Sequence, residues 1–306
     1  MNRLIAIVGP TATGKSALGL ALAEELGGEI VSCDSTAVYR RVDIGTDKLP
    51  AGDQRGIPHH LVDLVEPDQV YSAADYSRDA SRVIRDIVRR GRIPVLVGGT
   101  GFYFRALVRG LFPGPARDAT LRVRLDRIAQ RRGVEWLHRA LARLDPPSAE
   151  RIQPRDQKRI VRALEVYRLT GKPLTEHFAA TVSPIADFHV RAIGLTLPRD
   201  VVRVRVSARV TAQFARGVVD EVRGLLASGL STNAHALSGL VYRQVVEMLQ
   251  GARDEAATRE LIIQENMRYA RRQLTWFRHE PGAQWIEGAG ESARVLQEAV
   301  RLSSLG

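Results

Sequence analysis

Hydrophobic positions along this chain switch between two rhythms. Leu4-Ile5-Ala6-Ile7-Val8 is an unbroken apolar run with β-branched residues, as in a strand buried on both faces. From Ser16 to Leu26 the rhythm changes, and Leu18, Leu22 and Leu26 recur at helical spacing. Glu29-Ile30-Val31-Ser32-Cys33 reads as a second strand, ending at Asp34-Ser35. Tyr71-Ser72-Ala73-Ala74-Asp75 opens a helix with a serine cap, which Ala80, Val83, Ile84 and Ile87 carry to Arg90 before Gly91 stops it. Ile93-Pro94-Val95-Leu96-Val97 makes a third strand, and Phe102 to Leu111 a further helix, closed by Pro113-Gly114-Pro115. Strands alternating with helices predict an α/β fold around a parallel sheet. The exception is residues 36–70, where Pro50, Gly52, Gly56 and Pro58 predict a long irregular connection, of the kind that is usually functional.

From Arg117 to Phe178 no strand rhythm appears. Leu121, Leu125 and Ile128, then Trp136, Leu137, Leu141 and Leu144, then Ile160, Ala163, Leu164, Val166 and Tyr167 mark successive helices. Asp187 to Leu197 returns to a strand pattern, as expected if the chain rejoins the sheet. Beyond Pro198, helices are expected at about 199–228, 239–251 and 254–279, with a last short strand at Gln284-Trp285-Ile286. The expected organisation is a discontinuous core, 1–115 plus 187–306, carrying a helical insertion at 116–186.

Length and composition narrow this. At 306 residues there is room for an α/β core and one more lobe, since single cores stop growing at roughly 250–300 residues. No apolar run approaches the ~18 residues that span a bilayer, so no membrane partner is expected. Met1 leads almost directly into the first strand, which leaves no room for a signal peptide there. The single cysteine, Cys33, excludes an internal disulfide and a cysteine-built zinc site, and suits a reducing cytoplasm.

The net charge of +11 is unevenly spread, with 15 Arg and Lys against 8 Asp and Glu between Arg117 and Phe178. Lysine occurs at only four positions (Lys15, Lys48, Lys158 and Lys172), so arginine serves as the general surface cation here. That bias accounts for the count of arginines but not for its concentration in one segment, which points to a polyanion larger than a nucleotide.

The strongest chemical signal is Gly9-Pro10-Thr11-Ala12-Thr13-Gly14-Lys15-Ser16, which matches G-x-x-x-x-G-K-[ST] between a strand and a helix. In such a loop the backbone amides face inward as an anion cradle, and the following helix adds its N-terminal partial charge. Lys15 would neutralise a bridging phosphate and the Ser16 hydroxyl could hold Mg2+. Asp34 ends the second strand at the carboxyl edge of the sheet, where ligands of open α/β folds sit. A carboxylate there can take a proton or help hold magnesium; the plainer role is an N-cap. The third strand ends in Gly98-Gly99-Thr100 rather than an acid, which weakens nucleotide hydrolysis and leaves Thr100 as a neutral hydrogen-bonding group in the pocket. His59-His60 has no acidic or cysteine spacing for a metal and is expected to be structural or to line the substrate site. Arginines 203, 205, 209, 243, 268, 271, 272 and 278 read as solvated helix faces for the most part, and Trp276 and Phe277 as core anchors.

Taken in order, GPTATGKS (9–16), CDSTAVYRRVDIGT (33–46), PHHLVD (58–63), YSAADY (71–76), VGGTGFYFRALVRGL (97–111), RALEVYRLTGK (162–172) and RYARRQLTWFR (268–278) cover nearly the whole chain. Together they resemble the bacterial tRNA dimethylallyltransferases. The resemblance implies a P-loop NTPase-like parallel sheet flanked by helices, with an all-helical insertion. It implies transfer of a five-carbon prenyl group from dimethylallyl diphosphate to the N6 amine of the adenosine just 3′ of the anticodon in tRNA, without ATP.

By the same resemblance Asp34 is the proposed base, Thr100 contacts the same nucleotide, and Arg209 neutralises the leaving diphosphate. Contacts to the anticodon stem-loop are expected at Asp34, Ser35, Thr36 and Ala37, at Arg122 or Arg124, at Lys158, Arg159, Ile160, Val161 and Arg162, and along Ser238 to Arg243, including Tyr242. The target base must leave its stack to react, so a channel is expected. A monomer could make every contact.

The chain departs from the family pattern at Val241, where Gly is usual, and at Ala37, where many members carry Gln. The zinc-finger tail of eukaryotic relatives is missing. Alternatives are a P-loop kinase of small molecules, which the Gly-Gly-Thr strand end opposes, and a prenyltransferase of free adenine nucleotides, which has little use for a basic insertion. A non-catalytic RNA-binding module leaves the phosphate loop and Asp34 without a purpose.

Overall fold

A computed structural model describes residues 2–112 and 114–304, so Pro113 of the expected Pro113-Gly114-Pro115 stop lies outside the described residues. The chain divides into two compact units: Met1–Val108 together with Pro184–Gly306, and Arg109–Ser183. In chain order the elements are β1 (Asn2–Val8), α1 (Lys15–Leu26), β2 (Gly28–Ser32), β3 (His59–His60), α2 (Ala73–Arg89), β4 (Ile93–Val97) and α3 (Gly101–Arg109). The helices α4 (Ala119–Arg132), α5 (Val134–Leu144), α6 (Pro146–Arg151), α7 (Gln157–Thr170) and α8 (Leu174–Ala179) follow. Last come β5 (Phe188–Thr196), α9 (Arg199–Ala215), α10 (Val218–Ala227), α11 (Tyr242–Leu249), α12 (Glu255–Arg278), β6 (Gln284–Glu287) and α13 (Ala293–Ser304).

The first unit is built on a six-stranded sheet of order β3-β2-β4-β1-β5-β6 with every pairing parallel. The apolar run predicted as a doubly buried strand is β1, which pairs Ile5 with Val95 of β4 on one side and with Arg191 of β5 on the other. One core cluster joins Ile5, Ile7, Val95, Ile193 and Leu195 of the sheet to Leu18 and Leu22 of α1 and to Val295, Ala299 and Leu302 of α13. Each fully buried side chain of this kind stabilises the fold by about 1.5–3 kcal/mol. The serine cap of α2 is a full capping box: Ser72 Oγ accepts from Asp75 N at 3.2 Å while Asp75 Oδ2 accepts from Ser72 N at 3.1 Å.

The structure differs from the sequence reading at several places. Within the connection at 36–70, His59-His60 forms the edge strand β3, in register with Ile30 and Val31 of β2. His60 Nε2 lies 2.7 Å from Glu29 Oε2, and Arg90 reaches the same oxygen at 2.6 Å, so this histidine is tied into the fold. The helix expected to run from 199 to 228 is two helices, because Gly217 at φ 89° ends the first and opens the second. The helix from Phe102 stops at Arg109, before Gly110 at φ 81°. The helix α13 escaped the sequence reading; it completes the core beneath α1.

The second unit has its own core, in which Leu125, Leu137, Leu141, Ile160, Val161 and Leu164 of α4, α5 and α7 meet. At its centre Glu165, fully buried, accepts from Arg122 at 2.8 Å through both oxygens and from Arg162 at 2.6 Å. Those two guanidiniums hold the carboxyl down at about 2, far below its usual range. Among the described residues no helix is long and apolar enough to cross a membrane.

Candidate active site

Gly14 stands at φ 88° ahead of α1, a conformation that suits glycine, and a Cβ there would meet Gly290 N at 2.7 Å and Glu291 Oε2 at 2.8 Å. That turn leaves the amides of residues 14–16 at the open end of the helix, where intrahelical acceptors do not exist. Lys15 folds back to donate to the Pro10 carbonyl at 2.5 Å, and Thr13 Oγ1 donates to the same oxygen at 3.0 Å. Burial, with Arg209 nearby, pushes the Lys15 ammonium down from 10.5 to about 7, and Asp34 partly offsets this.

This loop lines a cavity of about 770 Å³ that also takes in Ser16, Asp34, Gly98, Gly99, Arg205, Arg209, Tyr269 and Gln273. A second cavity of about 500 Å³ holds Ser35, Thr36, Gln213, Ser238 to Val241, Arg243, Arg268 and Arg272. Both include Thr11, Asp34, Thr46, Asp47, Arg209 and Tyr269, so the two spaces meet at these residues.

Asp34 follows β2 and uses one oxygen for local order. Its Oδ1 accepts from Thr36 N at 2.8 Å, Thr36 Oγ1 at 2.7 Å and Ala37 N at 3.4 Å, so the capping role is present. Among the described residues no hydrogen bond ends on Oδ2. Arg209, a residue that helical pattern alone does not single out, donates to Thr11 Oγ1 at 2.8 Å and pairs with Asp47 at 2.9 Å. Thr100 accepts from Ser35 N at 3.1 Å and sits behind the cavity lining.

Four residues at this junction were missed by the sequence reading. Gln273 accepts from Thr11 N at 2.7 Å and donates to the Gly99 carbonyl at 2.8 Å, and so ties the phosphate loop to the Gly-Gly-Thr turn. Tyr269, one turn earlier on α12, is held beside Thr100 and Gln273, and burial near Asp34 pushes its phenol up to about 12. Both belong to the 268–278 motif. Arg205 donates to the Ala12 carbonyl at 2.6 Å and pairs with Glu291 at 2.5 Å. Its spacing of four from Arg209 was the available signal. Asp47 joins Arg209 to Arg216, which it meets at 2.6 Å.

Several expected RNA contacts are buried or already paired within the fold. Tyr242 is wholly buried, its hydroxyl donating to Glu221 at 2.5 Å and accepting from Gly45 N at 2.9 Å, because the turn at 43–45 packs on its ring. Ile160 and Val161 lie inside the core of the second unit, whereas Ala37, largely buried, lines the larger cavity. Arg122 and Arg162 are committed to Glu165, whereas Arg124, Lys158 and Arg159 are exposed. Arg243 pairs with Glu265 at 2.5 Å on the rim of the smaller cavity. Val241, the departure from glycine, adopts φ 76° and ψ −60° with its side chain buried.

Known proteins match this chain along nearly its whole length. Residues 37–280 match the family model described as IPP transferase. A tRNA dimethylallyltransferase of Solibacter usitatus is 46% identical over 301 residues, covering 97% of this chain and 96% of its own length. The crystal structure of the full-length tRNA isopentenylpyrophosphate transferase from Bacillus halodurans aligns with a TM-score of 0.73 at 35% identity, covering 98% of this chain and 95% of that one. A eukaryotic dimethylallyltransferase acting on tRNA gives a TM-score of 0.76 at 25% identity, over 94% of this chain and 74% of its own. The parallel sheet, the phosphate loop and a match along nearly the whole sequence agree: this chain belongs to the IPP transferase family.

Proposed function

We propose that this chain transfers a dimethylallyl group from dimethylallyl diphosphate to the N6 amine of the adenosine 3′-adjacent to the anticodon in tRNA. The observation that carries the reading is the junction at Asp34, where a cavity lined by the phosphate loop opens into one rimmed by Arg243, Arg268 and Arg272. Relatives named tRNA dimethylallyltransferase and tRNA isopentenylpyrophosphate transferase supply the substrate pair.

In this reading the diphosphate lies against the amides of residues 14–16, with Lys15 and Arg209 beside it. As the bond between the prenyl carbon and its oxygen breaks, the electron pair goes to the diphosphate, and these fixed positive groups stabilise the growing charge. The amine nitrogen forms the new bond to carbon, and the proton it must lose goes to Asp34, whose Oδ1 is already anchored by Thr36 and Ala37. Thr100 holds the Ser35 amide and so fixes the strand end that carries the base. A polyanion beside Lys15 favours its charged form and restores what burial has weakened.

Among the described residues no three His, Cys, Asp or Glu converge on a metal site. The Ser16 hydroxyl and the Asp34 carboxylate are oxygen donors in the cavity, which Asp47 and Glu291 also line, a set that fits magnesium, which keeps water and substrate oxygens in its shell. Bound there, magnesium would neutralise charge on the diphosphate. Arg124, Lys158 and Arg159 are among the exposed cations of the second unit and are assigned to the phosphates of the anticodon stem-loop. Arg122 and Arg162 support them from the Glu165 cluster. The protein is assigned to the cytoplasm, where its tRNA substrate is, and to a monomer. The test is transfer of label from dimethylallyl diphosphate with tRNA and AMP offered as separate acceptors.

A further inference from the structure

Arg205 and Arg209 stand one turn apart on α9, and both reach the phosphate loop. Each is also matched to an acid, Arg209 to Asp47 and Arg205 to Glu291. The two acids stand in different places. Asp47 belongs to the junction of the cavities and is shared with Arg216 and Gln213. Glu291 stands on the loop before α13, beside the anion cradle itself, with Oε2 at 2.8 Å from where a Gly14 Cβ would be. That loop is pinned there by Gly290 N, which donates to the Thr13 carbonyl at 2.9 Å. A carboxylate therefore lines an anion site and takes one side of an arginine that faces it. An incoming diphosphate meets Glu291 as a like charge and Arg205 as a planar donor fork suited to phosphate oxygens.

We infer that Arg205 is a second diphosphate-binding arginine of this site, held back in the free protein by Glu291, so that donor binding exchanges a carboxylate for a phosphate on one guanidinium. The Glu291 side chain is 49% exposed and has water to turn into. The inference rests on the donor reading given above.

Inorganic diphosphate, titrated calorimetrically into the full chain without magnesium, tests it with Glu291→Gln, Arg205→Met and the double variant. Glu291→Gln should bind about fivefold more tightly than wild type, since a screened like charge is removed and Arg205 is freed. The decisive step is Arg205→Met in the Glu291→Gln background. There the loss should be about tenfold or more, and Arg205→Lys, which keeps the charge but not the planar fork, should recover only part of it, because no carboxylate remains for Arg205 to neutralise and its contact with diphosphate is lost along with its hydrogen bond to the Ala12 carbonyl. No loss at that step makes Arg205 a mere counter-ion of Glu291 and overturns the inference. Weaker binding by Glu291→Gln once magnesium is added makes Glu291 a metal ligand and overturns it equally. If wild type takes up no diphosphate either without or with magnesium, the donor reading fails and this inference falls with it.

Discussion

Val241 holds a conformation that its side chain disfavours, and replacing it separates strain from packing. At φ 76° and ψ −60° it lies outside the left-handed helical well, in the strained three-residue turn region, and it is β-branched and 3% exposed. Such a conformation costs of order 1–3 kcal/mol, and the upper half of that range applies to a β-branched residue. Val241→Ala removes two buried methyls, worth about 1.6 kcal/mol, and keeps most of the strain. Going on from Ala to Gly loses about 0.8 kcal/mol more of burial and roughly 0.5–1 kcal/mol of chain entropy. On an unstrained backbone the Gly variant would therefore be the less stable by about 1.5 kcal/mol. Release of about 2.5 kcal/mol of strain reverses the order and leaves Gly ahead by about 1 kcal/mol. Thermal and urea unfolding of wild type and both variants reads this directly. An Ala variant as stable as the Gly variant, or more so, refutes the strained turn. The position matters because this turn begins α11 and lines the cavity that holds Asp34 and Thr36.

Three further outcomes are expected. Asp34→Asn keeps an oxygen for the Thr36 and Ala37 amides but removes the base, so kcat should fall by about 10²–10⁴-fold with tRNA affinity nearly unchanged; equal losses in both would assign Asp34 to binding alone. The Lys15 ammonium titrates at about 7 in the free protein, below its ordinary 10.5, and a bound diphosphate favours its charged form. Diphosphate affinity should thus weaken as pH rises from about 7 to 9, and this dependence should flatten in Lys15→Arg; the same slope in both proteins excludes Lys15 as its source. Lys158→Ala and Arg159→Ala should each weaken tRNA binding and reduce the slope of log affinity against log salt by about one, and an unchanged slope removes these residues from the RNA interface.

How much of this was legible depended on the range of the interaction. The run Leu4 to Val8 and the glycine loop announced strand, cradle and helix, because both signals are local. The edge strand His59-His60 is two residues long and leaves no periodicity to read. Its pairing comes from β2. The break at Gly217 and the helix α13 turn on a single left-handed residue and on burial beneath α1, neither of which a periodic pattern encodes. In the site, Asp34 was found because the strand end fixes its place. Gln273 and Arg205 were missed because their partners, Thr11 and Glu291, are 262 and 86 residues away. The polar positions Tyr242, Arg122 and Arg162 looked like contacts. The fold also uses their polar groups, Tyr242 bonding Glu221 and the two arginines bonding Glu165.

In the proposed reaction a diphosphate cradle and a base at Asp34 act on RNA through one continuous space. The most direct measurement is transfer from labelled dimethylallyl diphosphate, without ATP, to tRNA and to AMP offered separately. Label on tRNA alone, at the adenosine 3′ of the anticodon, is the expected result. Label on AMP contradicts the RNA reading, and consumption of ATP with no prenyl transfer to either acceptor contradicts the prenyl reading altogether.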